Sequence, residues 1–173
     1  MKTLATLCLF FCICTLVQAQ SPVDDMVKDW ERAKAYTLEY MEAMPAGNYD
    51  LKPTPEMRTF AQQMLHLTDA NFGFISAATG VESPVGMGAS EKSTDQSKES
   101  VIKQVTAGYD FAISSIKTLN STQLDETTQL FGQFEMSKGT AIAKCFEHQT
   151  HHRGQTTVYL RLAGVTPPQE KLF

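Results

Sequence analysis

The chain has 173 residues, with 15 lysines and arginines against 19 acidic residues and a formal net charge of −4. Its cations form no cluster that could follow a phosphate backbone, so the composition argues against a nucleic-acid partner. The length suffices for one domain with a sizeable core.

The N-terminus has the layout of a secretory signal peptide. Lys2 precedes an apolar run at residues 4–17, and the small residue Ala19 suits cleavage after it. The run is too short to span a bilayer comfortably, so we expect no stable membrane anchor. We therefore predict a cleaved signal peptide at residues 1–19, a single domain at residues 20–173, and export to a periplasmic or secreted location.

Two amphipathic helices are predicted in the first half of the mature chain. Apolar residues recur at three- and four-residue steps over residues 22–44, which is typical of a helix with one buried face. Pro45 ends that pattern. A second helix is predicted from Thr54 to about Ala78, because a threonine N-cap followed by Pro55 is a common helix start.

Residues 79–96 are rich in glycine, proline and serine and read as a long exposed loop. After this loop, Asp95 or Ser97 can cap a third helix that continues through Leu119.

The last long helix is predicted between Ser137, as its N-cap, and Ala163, with Gly164 ending it. Residues 120–136 before it are expected to be irregular. Four long helices with polar connections predict an all-α, four-helix bundle.

The last predicted helix carries the first sign of chemistry. His148 and His152 are four residues apart and lie on one helix face, a spacing that lets two imidazoles reach one ion. A third ligand would have to come from another helix, where His66 is the candidate. The helical wheel does not aim His66 at the core, and the spacing alone also fits a solvated or core-lining cluster.

Two segments together resemble a known family. These are "YDLKPTPEMRTFAQQMLHLTDAN" and, some eighty residues later, "EHQTHHRGQTTVYLRLAGVTPP". They resemble the DinB family, also called the DinB/YfiT-like metalloenzymes, over nearly all of the mature chain. The resemblance implies a four-helix bundle in which His66, His148 and His152 bind a divalent metal. His151 is then a flanking residue rather than a ligand.

A three-histidine site leaves at least one coordination position for water or substrate, as catalytic sites do. Water on such an ion can reach a pKa of about 7. We therefore expect a divalent-metal-dependent enzyme that activates water or a thiol on an unidentified small-molecule substrate. Export favours hydrolysis, because low-molecular-weight thiols are chiefly cytosolic. The alternative is a non-catalytic, stress-linked protein that binds a metal or ligand. Zinc is the default ion, and nickel, iron or manganese also suit imidazole ligands.

The roles of several neighbours stay open at this stage. Cys145 could approach the metal as a thiolate or lie buried in the core. Asp69 could orient an imidazole, assist proton transfer, or be a solvated acid. Arg153 and Gln155 could join the last helix to residues 120–136 by hydrogen bonds. No catalytic residue is identified from the sequence, and pairing into a homodimer is expected from the resemblance.

Overall fold

The computed structural model describes residues 21–173, so the predicted signal peptide lies outside the described residues. Within that range the chain has four long helices, one two-stranded antiparallel hairpin and two short 3-10 turns. In chain order the elements are α1 (Pro22–Ala43), a 3-10 turn (Ala46–Asn48), α2 (Phe60–Thr79), α3 (Lys98–Ile116), a 3-10 turn (Ser121–Asp125), β1 (Thr127–Leu130), β2 (Phe134–Ser137) and α4 (Lys138–Leu162).

Serine N-caps start three of the helices, and two of these caps, Ser97 and Ser137, are among those predicted. The predicted start of α2 at Thr54 is wrong. Thr59 and Gln62 form a reciprocal capping box, in which each side chain bonds the backbone N–H of the other at 3.0 Å. Two backbone donors are satisfied there, whereas Thr54 instead accepts the backbone N–H of Met57 in a turn.

The helices pack in the cyclic order α1–α3–α2–α4. Both α1 and α2 pack against α3 and α4, so helices that follow one another along the chain are not always neighbours in space. Gly108 on α3 permits a close approach to α2, since a Cβ atom there would lie 2.8 Å from the Thr68 side chain. The predicted all-α, four-helix bundle is confirmed.

Residues 120–136 are more regular than predicted. β1 and β2 pair from Thr127 opposite Ser137 to Leu130 opposite Phe134. The buried Leu130 and a 2.6 Å hydrogen bond from the Thr128 hydroxyl to the carbonyl of Ala77 attach this hairpin to α2. Strands of four residues carry too few alternations for a clear periodic signal. None of the helices within residues 21–173 is long and apolar enough to cross a membrane.

Candidate metal centre

Three histidines from two helices meet at one end of the bundle. One ligand nitrogen each from His66 on α2 and from His148 and His152 on α4 lie within 4.8 Å of one another. The ring centroids of His148 and His152 are 4.3 Å apart, and the His66 centroid lies 5.3 Å from that of His148 and 4.6 Å from that of His152. One ion can engage three imidazoles at this spacing after small side-chain rotations.

The helical wheel did not predict that His66 points toward the core, and the position of His66 on α2 explains why. His66 is half-buried, at the border of the α2 core face rather than at its centre. That border faces α4 and the loop between α2 and α3. The ring therefore points into a cleft, which hydrophobic periodicity does not distinguish from open solvent.

Gln63 orients the imidazole of His152. The Nδ1 atom of His152 is 2.8 Å from Oε1 of Gln63. The amide nitrogen of Gln63 donates to Oε1 of Gln155 at 2.8 Å and to the Tyr159 hydroxyl at 3.3 Å, which fixes the amide orientation. With Nδ1–H donating to Gln63, the Nε2 lone pair of His152 is available for a metal.

Glu91, from the loop between α2 and α3, orients His66 in the same way. The Nδ1 atom of His66 is 3.0 Å from Oε2 of Glu91, and the other carboxylate oxygen accepts from Nε of Arg58 at 2.6 Å. Asp69 accepts the backbone N–H groups of Ser90 and Glu91, each at 2.9 Å. Asp69 therefore positions Glu91 rather than an imidazole, and no pattern in the sequence indicates a role for Glu91 itself.

Burial keeps two of the three imidazoles neutral. Removal from water, together with the nearby histidines and Arg58, lowers the pKa of His148 to about 4 and of His152 to about 3. Partial burial raises the pKa of Glu91, but the hydrogen bonds and charges of Arg58 and His66 outweigh it, so the net shift is downward. Neutral imidazoles next to an ionised outer carboxylate are the donor set that a divalent ion requires.

The Nδ1 atom of His148 is buried and has no hydrogen-bond partner among residues 21–173. This imidazole is therefore the least constrained of the three by its neighbours. His151 is exposed, hydrogen-bonds to Gln155 at 2.8 Å and lies outside the three-histidine group, as a flanking residue would.

Cys145 lies one turn before His148 but belongs to the core. Its thiol is fully buried, 3.6 Å from the side-chain oxygen of Asn71, and burial raises its pKa. A neutral, buried thiol packs as a small apolar group and does not supply a thiolate ligand.

The prediction that Arg153 and Gln155 form hydrogen bonds to residues 120–136 is wrong. Arg153 is buried and donates to Gln149 at 2.8 Å and to Thr37 on α1 at 3.3 Å. Gln155 instead supports Gln63 beside the metal centre. Arg153 therefore joins α4 to α1, and Gln155 joins α4 to α2. Their partners differ because residues two positions apart on a helix lie on different faces.

The three-histidine group opens onto a cleft of about 500 Å³, which we call the histidine cleft. This volume is typical of small-molecule sites. Polar and apolar side chains share its lining, which includes His66, His148, Arg58, Glu91, Phe74, Met87 and Phe131.

A helical bundle with three converging imidazoles beside an accessible cleft is typical of helical proteins that bind a metal ion. Residues 18–172 match the sequence model of the DinB family, so the chain belongs to the DinB family. YrdA of Bacillus subtilis, an uncharacterised protein, is 26% identical over 149 residues, which cover 84% of this chain and 86% of YrdA.

Solved structures show the same fold. A DinB-like protein from Bacillus cereus superposes with a TM-score of 0.75 at 18% identity, covering 86% of this chain and 97% of that protein. YfiT of Bacillus subtilis superposes with a TM-score of 0.63 at 17% identity, covering 85% and 91%. YfiT is described as a probable metal-dependent hydrolase with an unusual four-helix bundle topology.

Proposed function

We propose that the protein is a divalent-metal-dependent hydrolase whose ion is held by His66, His148 and His152. The observation that carries this proposal is the approach of their ligand nitrogens to within 4.8 Å of one another at the wall of an accessible cleft. The description of YfiT as a probable metal-dependent hydrolase supports the reaction type. Zinc is the ion of choice for a site of neutral imidazoles, and nickel, iron and manganese are the other candidates.

A bound divalent ion supplies a Lewis acid that polarises a carbonyl group and makes water nucleophilic near neutral pH. In ester hydrolysis, the oxygen of water bonds to the carbonyl carbon, the bond to the alcohol oxygen breaks, and a water proton passes to the departing alcohol. The protein contributes orientation. Gln63 fixes the ring of His152, and Glu91 fixes the ring of His66.

Asp69 makes a second contribution by anchoring the loop that carries Glu91. Because this carboxylate accepts two consecutive backbone N–H groups, the loop is held where Glu91 reaches His66. Water is favoured over a low-molecular-weight thiol because the sequence predicts export. Export itself, and pairing into a homodimer, stay predictions.

The proposal is tested by comparing two histidines of the same helix. The full chain is first purified without an affinity tag and its metal content measured, with about one ion per chain expected. The zinc-loaded protein is then assayed on chromogenic esters and amides. We expect His148→Ala to lower kcat/KM at least about 100-fold, because it removes a metal ligand. His151→Ala, at an exposed position outside the group, should change it less than about threefold.

Ester hydrolysis that persists unchanged in His148→Ala would contradict the proposal. Stoichiometric metal binding without turnover of any ester or amide would instead favour the alternative, a metal-binding bundle without catalysis.

A further inference from the structure

The turn between β1 and β2 contains an unusual residue. Both Phe131, with φ of 53°, and Gly132, with φ of 68°, have the positive φ that the central residues of a type I′ turn require. The backbone N–H of Gln133 donates to the carbonyl of Leu130 at 3.0 Å and closes the turn. Asparagine, aspartate or glycine normally occupies the position of Phe131, because a bulky side chain is strained there. Strain at a turn that common residues would relieve points to a function for the ring.

The Phe131 ring lies where such a function could act. It packs edge-on against Phe74 with a centroid distance of 5.0 Å, and Phe74 lies 5.9 Å from His148. Phe131 lines the histidine cleft and also an adjoining cleft of about 560 Å³, and the two clefts share His148 as well. Phe131 as a whole residue is nevertheless 45% exposed, so the core does not account for its presence.

Other exposed apolar side chains surround the same region. Met87 lies in the histidine cleft and Phe134 in the adjoining one, and both are large apolar residues with most of their surface exposed. Clustered exposed apolar side chains in a groove are typical of a ligand-binding surface.

The lysine and arginine side chains that line these clefts are paired with carboxylates. Arg58 pairs with Glu91 at 2.6 Å, and Lys144 pairs with Glu147 at 2.8 Å. Among the described residues that line the two clefts, every lysine and arginine has a carboxylate partner, so none of them is left to receive a carboxylate at the far end of a substrate. The lining thus favours an uncharged, apolar group.

We propose that Phe131 is a specificity-determining residue, which holds the uncharged apolar acyl group of the substrate against Phe74 and beside the three histidines. The inference rests on the proposed hydrolase function and names its substrate class: esters or amides of medium-length aliphatic or aromatic acids. The strained turn is retained because it places this ring at the wall of the cleft.

The test measures binding rather than turnover. The zinc-loaded full chain is titrated calorimetrically with acetohydroxamic acid and with hexanohydroxamic acid, whose shared head group binds zinc. A fully buried methylene strengthens binding about fourfold, so even partial burial of the longer chain should give at least about a tenfold preference. Phe131→Asn should reduce this ratio below about threefold, whereas Phe131→Tyr should keep it.

Two controls accompany the variants. Asparagine accepts positive φ, so Phe131→Asn should unfold at or above the wild-type temperature, and Phe131→Gly provides a second turn-compatible variant. Phe173→Asn makes the same substitution at an exposed phenylalanine outside both clefts and should leave the ratio unchanged.

The outcomes separate the two proposals. If the wild-type protein fails to bind acetohydroxamic acid, the proposed metal function is wrong, and this inference, which rests on it, is wrong too. If acetohydroxamic acid binds but the ratio survives in Phe131→Asn, the inference alone is overturned. The same holds if a succinic acid monohydroxamate binds more tightly than a neutral hydroxamate of equal length.

Discussion

Helix α4 carries two polar pairs that interleave within six residues, and their environments differ. His148 and His152 face α2, with His148 lining the histidine cleft, while Gln149 and Arg153 face α1 and α3. Both pairs have four-residue spacing, and a shift of one residue rotates the second by about 100° from the first. In the histidine pair, each ring keeps a nitrogen available beside His66. In the Gln149 pair, the polar atoms are engaged inside the bundle.

The hydrogen bonds of the Gln149 pair explain why it belongs to the fold. Oε1 of Gln149 accepts from the Tyr109 hydroxyl at 2.7 Å and from Arg153 at 2.8 Å. Thr37 contacts both of these donors, and the Arg153 guanidinium lies 4.6 Å over the Tyr36 ring. A closed network of this kind stabilises one arrangement of three helices, whereas the open histidine pair is arranged for a ligand.

The largest expected effect comes from breaking the closed network. Gln149→Leu keeps the side-chain volume but removes the acceptor of a buried cation and a buried hydroxyl. We expect the free energy of unfolding of the metal-free protein to fall by about 3 kcal/mol, measured by urea denaturation. The zinc affinity of the folded fraction should change less than about threefold.

The matched control is Gln104→Leu, the same substitution at a half-buried position of α3, where a change below about 1 kcal/mol is expected. Equal losses in both variants would show that the buried network has no special role.

The second effect tests the outer contact of His66, the third histidine, which meets the open pair from α2. Glu91→Gln keeps the shape of the side chain but removes the charge that pairs with Arg58 and orients His66. We expect zinc affinity to fall about tenfold, the lower end of outer-contact effects, when measured by competition with a chelator. Glu147→Gln neutralises another carboxylate near the clefts, one paired with Lys144, and should change the affinity less than about twofold. A similar loss in both variants would mean that only the overall charge matters.

The sequence predicted the elements that depend on local patterns. Ser97 and Ser137 were recognisable as caps, and the four-residue spacing of His148 and His152 placed both rings on one face. The convergence of His66 on that face came from the family resemblance. Spacing within one helix carries no information about a partner helix.

The features that the sequence did not reveal depend on tertiary contacts. Glu91 lies in a loop without periodicity, and Asp69 brings it to His66 through backbone hydrogen bonds. The hairpin that carries Phe131 is stabilised by its contacts with α2 rather than by strand propensity. The different hydrogen-bond partners of Arg153 and Gln155 likewise could not be predicted without knowing which helix packs on each side of α4.

The smallest effect distinguishes the two pairs by their response to pH. The folded metal-free protein holds His148 and His152 with pKa values of about 4 and about 3, below the ordinary value of 6.5. Below pH 6.5 the unfolded chain therefore binds more protons than the folded one, and stability falls as the pH falls toward 4. We expect the wild-type unfolding temperature, measured with a chelator present, to drop about 2–4 °C further between pH 7 and pH 5 than that of His152→Gln. Gln149→Leu, which leaves both histidines in place, should keep the wild-type slope although its midpoint is lower. An identical slope in His152→Gln would indicate that the imidazoles are already solvated in the absence of metal.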